Sequence, residues 1–198
     1  MHSPDRGGLV AGGKLIRNTA CCLVLLLGIS ISLVVPTALG QETTRQPPRL
    51  LADADYFPAL LTGIQGARQS IDLAMYLWKS AKSLKNKPGQ LIRALGNAHR
   101  RGVRVRVLLE DSGYDRKINR INRETALLLE QEGIKVLFDS RTVTTHAKLA
   151  IIDGHLTFLG SHNLTQSALG RNHELSILLD DPDLATRLAA YLDRLATH

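Results

Sequence analysis

A candidate nucleophile and a fixed cation stand two residues apart at His146 and Lys148, in the run His146-Ala147-Lys148-Leu149-Ala150-Ile151-Ile152. In an extended strand, residues i and i+2 share a face. Imidazole and ammonium therefore lie side by side, while Leu149, Ile151 and Ile152 supply apolar surface for burial. Asp153-Gly154 follows, between the apolar runs Leu149 to Ile152 and Leu156 to Leu159, a pair that favours a tight hairpin. The hairpin would return Gly160-Ser161-His162-Asn163 toward the face carrying His146 and Lys148. A nucleophile or base, a cation, a hydroxyl and an amide then converge, a set suited to phosphate. An imidazole of ordinary pKa, about 6.5, exists neutral near pH 7 and can attack phosphorus. Lys148 would hold the non-bridging oxygens as a point charge. Ser161 and Asn163 would donate further hydrogen bonds, and the scheme requires no metal or cofactor.

The elements that must position these residues alternate apolar strands with amphipathic helices, the pattern of an α/β sheet. Phe57, Leu60, Leu61 and Ile64 recur at helical spacing within 56–67, and 70–78 reads as a strand. A helix is expected over 90–101, then a strand in which Val103, Val105 and Val107 alternate with Arg104 and Arg106. A helix over 119–132 ends at Gly133, and 134–138 is another strand. After the hairpin come a strand over 174–179 and a helix over 182–196, opened by Asp181-Pro182.

The spacing His-x-Lys, four residues, Asp, six residues, Gly-Ser-x-Asn is met by His146, Lys148, Asp153, Gly160, Ser161 and Asn163. It resembles the HKD signature of the phospholipase D superfamily. The stretches 70–76 and 101–109 resemble the strands that precede that motif. One copy is present, so the chain is similar to the small single-motif members, among them the bacterial phospholipase D-like endonucleases. The resemblance implies a mixed sheet flanked by helices in a single catalytic domain over 50–198, and a homodimer with one shared active site. It implies that His146 of one subunit forms a phosphohistidine while His146 of the other protonates the leaving group and then activates water. It also implies a carboxylate paired with the motif histidine, at Glu174, where it would fix the tautomer and stabilise the imidazolium. Asp153 joins His146, Lys148 and Glu174 as a catalytic candidate through the signature alone. As a turn residue followed by glycine, its own chemistry reads as structural.

The first forty residues differ from the rest. Lys14 and Arg17 flank an apolar run over 20–35, and Ala38-Leu39-Gly40 has the small residues of a cleavage site, which reads as a secretory signal peptide. The alternative is an uncleaved membrane anchor, since Cys21 to Gly40 is twenty residues, about the length that spans a bilayer. Either reading places the domain outside the cytoplasm, periplasmic or secreted, after a polar linker over 41–49. Both cysteines, Cys21 and Cys22, fall in the apolar run, so the exported part folds without disulfides. Cleavage after Gly40 would remove Arg6, Lys14, Arg17 and Asp5 from 25 basic and 18 acidic side chains, leaving 22 against 17, or +5. That balance favours a polyanion or an anionic lipid as partner.

Lys79, Lys82, Lys85 and Lys87, closed by Pro88-Gly89, form one basic loop after a strand, and Arg116, Lys117, Arg120 and Arg123 lie in a second. Loops leaving the carboxyl ends of strands border the site in open α/β sheets, so the two would form a basic rim that contacts phosphates regardless of sequence. His146, His155, His162 and His173 crowd one region without a zinc-ligand spacing, and Lys148 would repel a cation. His155, His162 and His99 read as bystanders. The expected function is an exported, metal-independent nuclease. The alternatives are a phospholipase D acting on anionic phospholipids and a non-catalytic phosphate-binding module.

Overall fold

Antiparallel and parallel pairings join the apolar runs into one seven-stranded mixed sheet of order β1-β7-β6-β5-β2-β3-β4. The computed structural model describes residues 46–196, which fall within one compact unit, Thr43–His198. The expected signal peptide or anchor, and most of the linker, lie outside the described residues. The strands are β1 (Arg49–Ala52), β2 (Ser70–Met75), β3 (Arg104–Leu109), β4 (Val136–Phe138), β5 (Lys148–Ile152), β6 (Leu156–Gly160) and β7 (Leu175–Asp180). The helices are α1 (Tyr56–Gly66), α2 (Lys87–Arg100), α3 (Arg116–Gln131) and α4 (Pro182–Leu195).

β2, β3 and β4 run parallel, whereas β5 returns antiparallel to β2 and continues through β6 and β7 to β1. Residues from α1, α2 and α3 share the larger core with Ile71, Leu73, Val107, Ala150, Ile152 and Phe158. On the opposite face α4 buries Ala185 and Leu192 against Ala74, Leu108, Leu149 and Ile151. Strand alternation decides which residue goes where: Val105 and Val107 meet the larger core, while Arg104 and Arg106 turn to the α4 face. There both guanidiniums bond buried Asp72, at 2.8 Å each, and Arg106 also reaches Asp193 of α4. These two cations are therefore committed to the scaffold.

Asp153 and Gly154 adopt φ of +50° and +68°, and the His155 N–H donates to the Ile152 carbonyl at 3.2 Å. Two positive φ angles closed by that bond make the primed turn that Asp-Gly favours.

The structure moves two helix starts. α2 begins at Lys87 because the Asn86 side chain caps it, accepting from the Gly89 N–H at 3.1 Å, with proline in the first turn. Pro88-Gly89 thus opens a helix instead of closing a loop. α3 begins at Arg116, capped by Asp115, so Arg116, Lys117, Arg120 and Arg123 are helical residues. The strand expected over 70–78 ends at Met75, beyond which Trp78 keeps an isolated bridge to Leu164. β1 adds an edge strand that the chain's hydropathy pattern does not announce.

Candidate active site

Register places Lys148, the first residue of β5, against Met75, the last of β2. The carboxyl ends of β2, β3 and β4, the start of β5, the end of β6 and the start of β7 therefore share one edge of the sheet. The chain enters β5 through Thr145, whose N–H donates to Glu110 Oε2 at 2.7 Å and whose hydroxyl donates to Asp139 Oδ2. Glu110 follows β3 and Asp139 follows β4, and both are buried. Two carboxylates thus hold the residue immediately before His146.

His146 is exposed, with its ring centroid 4.3 Å from that of Tyr76. Lys148 is 6% exposed, and its Nζ lies 3.0 and 3.1 Å from the two ring nitrogens, 2.7 Å from the His146 carbonyl and 5.0 Å over the Tyr76 ring. A neutral imidazole offers one lone pair in its plane, so the ammonium bonds one ring nitrogen at a time. Desolvation of the ring and then the Lys148 charge hold the His146 pKa below the usual imidazole value. Burial lowers that of Lys148, against the pull of Glu174. The pair is arranged to keep imidazole neutral beside a retained positive charge.

Ser161 and Glu174 arrive from β6 and β7. The Ser161 hydroxyl donates to Glu174 Oε2 and accepts from the Leu175 N–H at 3.1 Å. The second Glu174 oxygen accepts from Asn172 Nδ2 at 3.1 Å. Glu174 is within electrostatic reach of Lys148, yet its hydrogen bonds go to Ser161 and Asn172, and none among the described residues links it to His146. Asn163 carries a buried side-chain oxygen with no hydrogen-bond partner. The Ser161 proton is directed to Glu174, not into the open site.

Asp153 stands at the far end of β5, about 20 Å from His146 by strand rise. Its Oδ1 accepts from the N–H groups of Arg68, Gln69 and Ser70 at 3.1, 2.7 and 3.0 Å, and Oδ2 accepts from Arg68 at 2.9 Å. It pins the hairpin to the entry of β2.

The histidines disperse. His162 is fully buried and stacked on Tyr56 at 4.3 Å. Its Nε2 lies 2.9 Å from the Asp53 carbonyl, so that nitrogen carries the proton and Nδ1 accepts from Ser176 Oγ at 2.8 Å. His155 faces Asp180 at 2.7 Å, and exposed His173 faces Asp53 at 3.3 Å. Among the described residues no group of three or more His, Cys, Asp and Glu side chains is placed to hold a metal ion.

Glu110, Asp139, Tyr76 and Asn122 are site residues that sequence reading passes over. Asn122 is fully buried on α3: its oxygen accepts from Trp78 N–H at 3.0 Å, and its nitrogen donates to the carbonyls of Tyr76 and Glu110 at 2.9 Å each. It stitches the ends of β2 and β3 together. A signal existed, because Asn122 interrupts the buried stripe Ile118, Thr125, Ala126 and Leu129. Burial raises the Glu110 pKa, the Thr145 N–H opposes this, and the charges of Asp139 and Asp111 add to the rise.

Of the expected basic rim, Lys79, Lys82 and Lys85 are exposed after β2, and Arg116, Lys117 and Arg120 are exposed on α3. Lys87 instead donates to the Leu169 carbonyl at 2.6 Å, and Arg123 pairs with Asp111 at 2.7 Å.

The family described as cardiolipin synthase, PLD-like domain, matches residues 60–196. The chain is 35% identical over 129 residues to the mitochondrial cardiolipin hydrolase of Homo sapiens, covering 65% of this chain and 46% of that protein. It is 36% identical over 106 residues to the phospholipase D of Rickettsia conorii, covering 53% and 50%. The chain thus spans about half the length of these relatives. In fold it is similar to Nuc of Salmonella typhimurium, with a TM-score of 0.61, 22% identity, and 75% of this chain and 93% of that one covered. NucT of Helicobacter pylori gives a TM-score of 0.57 at 23% identity, covering 75% and 94%. With the family match over residues 60–196 and with His146, Lys148, Ser161 and Asn163 of the motif carried to one edge of a mixed sheet of this topology, the chain belongs to the phospholipase D-like domain family.

Proposed function

We propose that this chain is a metal-independent phosphodiesterase that works through a phosphohistidine on His146, with nucleic acid as its substrate. The observation that carries the reading is the contact of exposed His146 with buried Lys148. The neutral ring attacks phosphorus, and the bond from phosphorus to the leaving oxygen breaks. The ammonium offsets the charge gathering on the non-bridging oxygens. A protonated His146 from a second copy gives its proton to the leaving oxygen, then takes one from the water that releases the phosphoryl group. Glu174, held by Ser161 and Asn172, supplies negative charge beside the cations, and Asn163 Nδ2 is available to the phosphate.

The need for a second imidazole makes a homodimer with a shared site part of the proposal. Leu50, Ile177 and Leu159 lie opposite one another across β1, β7 and β6, and Leu50, Leu159 and Leu175 are 62%, 36% and 60% exposed. Apolar side chains left open beside Ser161 and Glu174 suit contact with another copy. Export, by a cleaved signal peptide or an uncleaved anchor, is the proposed route to the substrate. No helix among the described residues is long and apolar enough to cross a membrane.

A second reading, a phospholipase D acting on anionic phospholipids, is favoured by the relatives named cardiolipin hydrolase and phospholipase D. The deciding experiment incubates the protein in EDTA with plasmid DNA, single-stranded RNA and cardiolipin vesicles, with His146→Ala alongside. Nucleic-acid cleavage that vanishes in the variant supports the nuclease, and lipid headgroup release alone replaces it with the phospholipase. Activity lost in EDTA and restored by magnesium or zinc refutes the metal-free scheme. Phosphate binding without turnover on any substrate leaves a binding module.

A further inference from the structure

Two segments leave the site side by side, one following β2 and the other following Asn163. The Lys79 N–H donates to the Leu164 carbonyl and the Leu164 N–H to the Leu77 carbonyl, both at 3.0 Å. Farther along, the Lys87 N–H donates to Gln166 Oε1 at 3.0 Å, and Lys87 Nζ ties down the Leu169 carbonyl. These bonds hold open a groove of about 260 Å³ lined by Lys79, Ser80, Asn86, Thr165, Ser167 and Arg171.

Two cations, three hydroxyls and two amides, Asn86 and Gln166, face this groove, and no carboxylate does. Four other cations near the sheet are paired: Arg104 and Arg106 with Asp72, Arg123 and Arg141 with Asp111. Lys79 and Arg171 are exposed and form no ion pair among the described residues. A fixed polar trough with unpaired positive charge is complementary to an anion. Thr165 follows Asn163 by two residues, at most about 7 Å of extended chain, so the groove starts a short step from the phosphate expected at His146. Its lining offers no large apolar side chain to an acyl chain and no aromatic ring to a base.

We propose that this groove is a second phosphate subsite, holding the neighbouring phosphodiester of a nucleic-acid strand one link from the bond cleaved at His146. The proposal rests on the phosphodiesterase reading and deepens it by naming a polymeric, strand-like polyanion as substrate, gripped without regard to base sequence.

The test measures binding apart from turnover. In a His146→Ala background, the affinity for a fluorescein-labelled oligothymidylate is followed by anisotropy across a salt series. The chains compared carry Lys79→Gln, Arg171→Gln, both, or Lys135→Gln; exposed Lys135 precedes β4, at the opposite edge of the sheet. Each groove substitution should make the salt dependence shallower by about 0.7, which between 1 M and 0.1 M salt is about a fivefold loss of affinity. The Lys135 variant should match the parent. Unchanged oligonucleotide binding in both groove variants overturns the subsite. So does a loss confined to cardiolipin vesicles, which would assign the groove to a lipid headgroup. Turnover of bis(p-nitrophenyl) phosphate by the chain with His146 intact is read in parallel. Its absence refutes the phosphodiesterase reading and leaves the binding result to stand or fall by itself.

Discussion

Replacing Asp153 separates a residue that builds the fold from one that performs chemistry. Its carboxylate accepts from three successive backbone N–H groups, and it occupies the left-handed region at φ +50°. The Ser70 N–H is part-buried, so losing a charged acceptor there costs about 1.5–3 kcal/mol. Arg68 and Gln69 are exposed, water replaces the lost acceptor, and each contributes a few tenths. Alanine in the left-handed region costs about 1–2 kcal/mol more. Asp153→Ala should therefore lose about 3–5 kcal/mol of the 5–15 typical of a domain. Asp153→Asn keeps an oxygen and tolerates the backbone angle, so about 1–2 kcal/mol is expected. Urea unfolding followed by the fluorescence of Trp78, the one tryptophan and fully buried, reads both values. Burial works to raise the Asp153 pKa, and the N–H groups of Ser70, Gln69 and Arg68 together hold it down. Its stabilisation is thus full above the unfolded value of about 3.9 and is lost as pH falls through the lower folded value. Turnover per folded molecule should stay within about twofold in Asp153→Asn, because the change lies about 20 Å from His146. A tenfold fall in kcat with the unfolding midpoint intact would refute the assignment.

Glu110→Ala should do the reverse. It leaves the Thr145 N–H without its acceptor, at about 1–3 kcal/mol, and frees the residue before His146, so kcat should drop at least about tenfold; an unchanged kcat means the anchor is dispensable. The His146 ring should titrate below the usual imidazole value by NMR, and in Lys148→Gln its midpoint should rise, since removing a positive neighbour favours the protonated ring. Because one His146 must be neutral and its partner protonated, activity should peak around that lowered midpoint and fall on either side, and an acid limb at or above the ordinary value contradicts the geometry. Leu175→Glu places a charge on the open apolar strip. Sedimentation should show a dimer in the parent and a monomer of much reduced turnover in the variant, whereas a fully active monomer sinks the shared site.

The hairpin from His146 to Asn163 was legible because its determinants are local: an i, i+2 pair, an Asp-Gly turn and two apolar runs. The mixed sheet flanked by helices followed from the resemblance of that motif and from alternation of apolar runs. The starts of α2 and α3 were misread because clustered lysines and arginines look like solvated loops, although Asn86 before Lys87-Pro88 and Asp115 before Arg116 are capping arrangements. β1 could not be read from Arg49-Leu50-Leu51-Ala52, since its strand character comes from pairing with β7, more than a hundred residues away. For the same reason Glu110 and Asp139 passed unnoticed: each looks like an acid at a strand end, and only the fold brings both to Thr145. His162 shows the converse, a variable position in the motif that is a core residue.

Asp53 gives the N-terminal edge a bearing on the site. Its N–H donates to the Glu174 carbonyl at 2.8 Å, its carboxylate accepts from the Glu174 N–H at 2.8 Å, and its carbonyl receives the buried His162 proton. The family match starts at residue 60, seven residues too late to include it. A shortened chain cut at that boundary would keep His146 and Lys148 but release the start of β7 and with it Glu174. The smallest unit able to assemble the whole cluster therefore starts no later than Arg49, where the edge strand begins.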